Sequence, residues 1–126
     1  MNSLRTALFG VALVAFLSAC TGGGAASSVT PPPDAAVTIA AKDNKFDQAS
    51  VGVPAAAPFR LFFKNLDGAP HNVAVFTDSS ASKSIYVGET ITDAATTYDV
   101  PALEPGTYFF RCDVHPDMTG SLVAEG

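Results

Sequence analysis

The sequence predicts an all-β sandwich of about seven to eight short strands. Three observations carry this expectation. From Val37 onward, apolar runs of four to seven residues alternate with turn residues. The runs are rich in Val, Ile, Phe, Tyr and Thr, which suit a pleated, half-buried surface. After the first twenty residues no stretch repeats its apolar positions at helical spacing.

Val37-Thr38-Ile39-Ala40-Ala41 forms the first expected strand. Asn44 to Pro58 is extended chain with bends, with Phe46, Val51 and Val53 turned inward. Phe59-Arg60-Leu61-Phe62-Phe63-Lys64 is the next strand, and Asn65-Leu66-Asp67-Gly68-Ala69-Pro70 is a turn. His71-Asn72-Val73-Ala74-Val75-Phe76 is read as a strand starting at the histidine. Thr77 to Ser84 is polar and loop-like. Two further strands are expected over Ser84–Thr92 and Thr96–Val100. Glu104-Pro105-Gly106 turns the chain into Thr107–Cys112, and Thr119–Ala124 closes the domain.

The N-terminal part differs in composition. Arg5 supplies a positive start, and an apolar run from Ala7 to Leu17 follows. That run is short for a membrane span and has the proportions of an export signal. Leu17-Ser18-Ala19-Cys20 resembles a bacterial lipobox. The resemblance implies that Cys20 becomes the lipidated mature N-terminus. The expected organisation is a lipoprotein signal peptide over 1–19, a flexible lipidated tether over 20–36 and a domain over 37–126. The Gly, Ser, Thr and Pro of the tether cannot bury enough apolar area to offset the entropy of ordering them. The expected location is the extracytoplasmic side of a bacterial membrane, periplasmic or on the cell surface.

Charge excludes one class of partner. The chain carries seven basic and twelve acidic residues, a net charge of −5, with no basic stripe. Nucleic acid is therefore not an expected partner. Two cysteines in an exported chain would ordinarily suggest a disulfide. Here Cys20 and Cys112 each have a separate role, and no disulfide is expected.

Chemistry concentrates in Cys112-Asp113-Val114-His115-Pro116-Asp117-Met118. A thiolate, an imidazole and a thioether follow one another with two residues between each pair. Thiolate and thioether are soft ligands that favour Cu(I), and imidazole serves copper well. Zinc is a poorer fit, because thioether is not among its usual ligands. Alternation along Thr107–Cys112 places Tyr108, Phe110 and Cys112 on one face, so the thiol is delivered inward. Pro116 stiffens the loop and biases His115 toward an extended backbone. The only other histidine is His71. The expected site is one mononuclear copper ion held by His71, Cys112 and His115, with Met118 as a weak axial donor. Asn72 is expected to support the site, by tying the two ligand segments together or by donating to the Cys112 sulfur.

Pro70-His71-Asn72-Val73 and Gly106-Thr107-Tyr108-Phe109-Phe110-Arg111-Cys112 resemble the two ligand motifs of the cupredoxins, the blue copper family that includes the plastocyanins and amicyanins. The Cys-x-x-His-x-x-Met spacing resembles the short ligand loop of amicyanins. The resemblance spans 37–125. It implies a two-sheet Greek-key sandwich with type 1 copper near one end and one-electron transfer through the exposed edge of His115. Redox proteins docking near His115, and the membrane through Cys20, are the implied partners. Two histidines are too few for the extra copper centres of multicopper oxidases or nitrite reductases, so an electron carrier is expected rather than an enzyme. The alternative is an extracytoplasmic copper chaperone or copper-buffering protein with the same ligands.

Overall fold

The computed structural model describes residues 29–126. The expected signal peptide, Cys20 and the first part of the expected tether lie outside the described residues. Nine strands run in order among these residues: β1 (Ala35–Lys42), β2 (Lys45–Phe46), β3 (Ser50–Pro54), β4 (Phe59–Asn65), β5 (Ala74–Phe76), β6 (Ser84–Val87), β7 (Ala95–Val100), β8 (Gly106–Arg111) and β9 (Thr119–Glu125). No helix is present among them, as the missing helical periodicity led one to expect.

The strands form two sheets, ordered β2-β1-β4-β7 and β3-β9-β8-β5-β6. The chain passes between sheets from β2 to β3, β3 to β4, β4 to β5, β6 to β7 and β7 to β8. That weave is the Greek-key sandwich. The apolar faces meet in one core, built from Ile39, Leu61, Phe63, Val73, Val75, Val100, Phe110 and Leu122, all at most 1% exposed. The alternation of β3 is as expected, with Val51 and Val53 buried and Ser50, Gly52 and Pro54 exposed. Phe46 packs at the core margin and meets Phe110 edge-on, ring centres 5.2 Å apart.

Three boundaries differ from the sequence reading by two residues or more. β1 begins at Ala35, inside the segment assigned to the tether. Asp34 sits there on Arg60 at 2.8 Å, and the Ala35 amide donates to the Pro32 carbonyl. The segment Ser84–Thr92 is strand only to Val87, because the chain then leaves β5 to make a separate contact at Ile91. His71 does not start a continuous strand: it forms an isolated antiparallel bridge with Ile91, and β5 begins at Ala74.

The pairing of β5 with β8 places the site. The strands are antiparallel, with Ala74 opposite Arg111. The start of β5 therefore lies beside the end of β8. His71, three residues before Ala74, and Cys112, one residue after Arg111, reach the same end of the sandwich.

Candidate metal centre

Cys112 leaves the end of β8 with its side chain directed into the core, completely buried. Tyr108, Phe110 and Cys112 share a face, as alternation requires, and Phe110 is also completely buried. The loop from Cys112 to Met118 is closed by its own backbone. The Cys112 amide donates to the Met118 carbonyl at 3.0 Å, and the Met118 amide donates to the His115 carbonyl at 2.9 Å. This small ring brings the three candidate donors of the loop to one end of the molecule. Met118 is 3% exposed and belongs to the same apolar cluster as Cys112.

His71 arrives from a segment distant in sequence and is also fully buried. Its backbone exchanges two hydrogen bonds with Ile91, each 3.0 Å. Its Nδ1 lies 3.8 Å from the Cys112 Sγ, and the His115 Nδ1 lies 3.9 Å from the same sulfur. The donor atoms of His71, Cys112 and His115 all fall within 4.8 Å of one another. The two rings lie 4.7 Å apart, centre to centre. His115 is half-buried, with Val114 and Pro116 exposed beside it in the chain.

These separations fit a single ion. Taking zinc bond lengths as a yardstick, metal–sulfur and metal–nitrogen distances of about 2.3 and about 2.0 Å, opened to about 120°, put sulfur and nitrogen roughly 3.7 Å apart. The observed 3.8 and 3.9 Å lie close to this. The donor set is one thiol and two imidazoles, with a thioether in the same loop. That combination matches the trigonal His2Cys arrangement with a weak axial Met, which is specific to type 1 copper.

Asn72 ties the two ligand segments together. Its Oδ1 accepts from the Asp113 amide at 2.8 Å, and its Nδ2 donates to the Gly88 carbonyl at 2.9 Å and to the Asp113 Oδ2 at 3.3 Å. Of the two roles expected for it, the structure shows the loop tie; its amide protons go to oxygen rather than to the Cys112 sulfur. Among the described residues Cys112 is a free thiol.

The sequence reading missed Asp67. It was assigned to a turn, but its Oδ1 lies 3.1 Å from the His71 Nε2. The only signal was an acid four residues before the candidate ligand, which is weak in a turn already expected to be polar. Burial would raise the Asp67 carboxyl. The amides of Ala69 and Asp43 and the neighbouring His71 ring outweigh that, and hold it below the usual carboxylate range.

Residues 8–124 match the family model described as a cupredoxin-like domain. The chain belongs to the cupredoxin-like family. Among solved structures it is similar to amicyanin from Paracoccus versutus, with 29% identity, TM-score 0.58, and 79% of this chain and 88% of that one covered. It is also similar to sodium-dithionite-reduced auracyanin from Roseiflexus castenholzii, with 19% identity, TM-score 0.63, and 71% and 96% covered. Auracyanin A from Chloroflexus aurantiacus, described as a "blue" copper protein, shares 19% identity at TM-score 0.60, with 70% and 96% covered. The two auracyanins establish a shared fold. No curated protein sequence matches the chain. This cupredoxin thus has the two-sheet sandwich, the single core and the end-on donor cluster that its sequence led one to expect.

Proposed function

We propose that this cupredoxin is a type 1 copper electron carrier, in which His71, Cys112 and His115 hold one copper ion and Met118 is its weak axial donor. The observation that carries the reading is the placement of a buried sulfur between two imidazole nitrogens at near-equal distances of 3.8 and 3.9 Å. When bound there, copper supplies a Cu(II)/Cu(I) couple that takes up and gives back one electron.

The protein's part is to hold the donors still. Cys112 lies one residue past β8, His71 is clamped by its bridge to Ile91 three residues before β5, and the loop to Met118 is closed by backbone hydrogen bonds. Such a frame needs little rearrangement when the charge on the metal changes. The complete burial of Cys112 and His71 keeps water from the sulfur side. His115, half-buried and followed by exposed Pro116, offers the route for electrons to leave. Partners dock near it through contacts smaller than about 1,200 Å², as brief redox encounters do. The blue copper described for auracyanin A supports the same reading.

The further proposal is that Cys20 carries lipid and holds the domain on the extracytoplasmic side of a bacterial membrane. The lipobox-like Leu17-Ser18-Ala19-Cys20 supports it. Tethering raises the effective concentration of membrane-bound donors and acceptors. Fractionation of expressing cells tests it: the parent chain should sediment with membranes and Cys20→Ser should not. A soluble parent would refute the anchor without touching the copper reading.

The test of the centre is an optical spectrum with added Cu(II). An intense visible sulfur-to-copper band is expected, bleached by mild reductant and restored by oxidant without loss of metal. Cys112→Ser should remove the band. A folded, colourless Cu(II) complex would overturn the assignment. Ready transfer of Cu(I) to a chelator, in place of reversible cycling, would favour copper delivery.

A further inference from the structure

His71 can play its part only if Nδ1, the nitrogen facing Cys112, presents a lone pair. A neutral imidazole carries its proton on one nitrogen or the other, and the partner of the remote nitrogen decides which. Here that partner is Asp67. Its Oδ1 lies 3.1 Å from Nε2, and an ionised carboxylate can only accept. The same Oδ1 already accepts from the Ala69 amide, so it meets the ring as an acceptor; in the neutral ring Nε2 is then the donor, and Nδ1 is left free toward the sulfur 3.8 Å away.

Asp67 is itself held from several sides. Its Oδ1 also accepts from the Ala69 amide at 2.9 Å, and its Oδ2 accepts from the Asp43 amide at 2.8 Å. Asp43 lies in the turn between β1 and β2, with a left-handed φ of 52°. The Asp67 amide donates to the Asn65 Oδ1 at 3.1 Å, and the Asn65 Nδ2 donates to the carbonyls of Ala69 and Ile91 at 2.6 and 2.8 Å. Ile91 is the residue whose backbone clamps His71. Asn65 is 2% exposed, so this web is built into the protein and is not a surface accident. Among the described residues no carboxylate pairs with His115 in this way, so the two candidate imidazoles are held unequally.

We propose that Asp67 is the positioning residue for His71: it fixes the ring as the Nε2–H tautomer and aims the Nδ1 lone pair at the site shared with Cys112 and His115. Asn65 and the Asp43 amide in turn fix the carboxylate. The role rests on the copper reading for its purpose, but the tautomer is a property of the metal-free chain. Partners of this kind orient a ligating histidine and raise its basicity. A negative charge one ring away also favours the more highly charged Cu(II).

Imidazole 15N–1H correlation spectra of the metal-free protein, recorded where the His71 ring is neutral, provide the first test. His71 should carry its proton on Nε2 alone. Asp67→Ala should lower Cu(II) affinity 10- to 100-fold, mix the tautomers and raise the reduction potential. Asp67→Asn keeps an acceptor oxygen, so it should retain the tautomer and most of the affinity, while the potential still rises because the charge is gone. A parent His71 protonated on Nδ1, or Asp67→Ala with parental affinity and potential, would overturn the proposal. If Asp67→Ala fails to fold, the parent spectrum and the potential of Asp67→Asn decide, an unchanged potential counting against it. A chain that shows the Nε2–H tautomer yet takes no blue colour would support Asp67 as the positioning residue and remove the copper carrier instead.

Discussion

Met118 is the residue on which the electronic character of the proposed centre turns. Its backbone is fixed from both sides, by the Cys112 amide on its carbonyl and by the His115 carbonyl on its own amide. Its backbone is thus held on the same closed loop as Cys112 and His115. Met118→Leu preserves volume and apolarity, so the fold should persist. The blue colour should remain and the reduction potential should rise, because losing one electron-pair donor costs the more highly charged Cu(II) more than Cu(I). Voltammetry of parent and variant checks this, and an unchanged potential would mean Met118 is not axial. Spacing alone exposed Cys112, His115 and Met118 as a set. It could not expose Asp67 or Asn65, since an acid and an amide in a turn look like ordinary turn residues until their partners are seen.

At the level of elements, the β8–β9 hairpin carries the ligand loop, so its packing governs the geometry of the site. Gly120 faces Phe110 across this hairpin, and their backbones are in register. A side chain at 120 would drive straight into the Phe110 ring. That ring is completely buried and has Phe46 edge-on beside it, leaving it little room to move. Gly120→Ala should therefore cost about 1–3 kcal/mol by overpacking. Denaturant unfolding of the metal-free protein would measure it, and a change below about 0.5 kcal/mol would show that Phe110 yields freely. Most strands were legible because their apolar runs and turns are local signals. The His71 segment was not, because whether a residue sits in a ladder or in a single bridge depends on Ile91, twenty residues further on.

For the whole molecule, the prediction concerns coupling of metal to folding. The donors come from segments 41 residues apart in sequence and meet only when β5 lies beside β8. The unfolded chain offers no such cluster, so ligand binding favours the folded state. Free Cu(II) at about 100 times its Kd should stabilise the domain by about 2.7 kcal/mol. For a domain of this size that raises Tm by roughly 10–20 °C. Cys112→Ser should lose most of the increment, as calorimetry with and without metal would show. An equal increment in parent and variant would place the metal elsewhere.

The sequence by itself determined the sheet-forming segments and three neighbouring donors on one loop. It also marked His71 as the remaining imidazole, because these properties reside in short stretches and in a count of two histidines. Only the tertiary structure decided that His71 and the loop share one end of the sandwich, that Asn72 joins their segments, and that Asp67 grips the far side of the His71 ring. Those facts depend on strand pairing between distant parts of the chain, and no local pattern encodes which backbone comes to lie beside which.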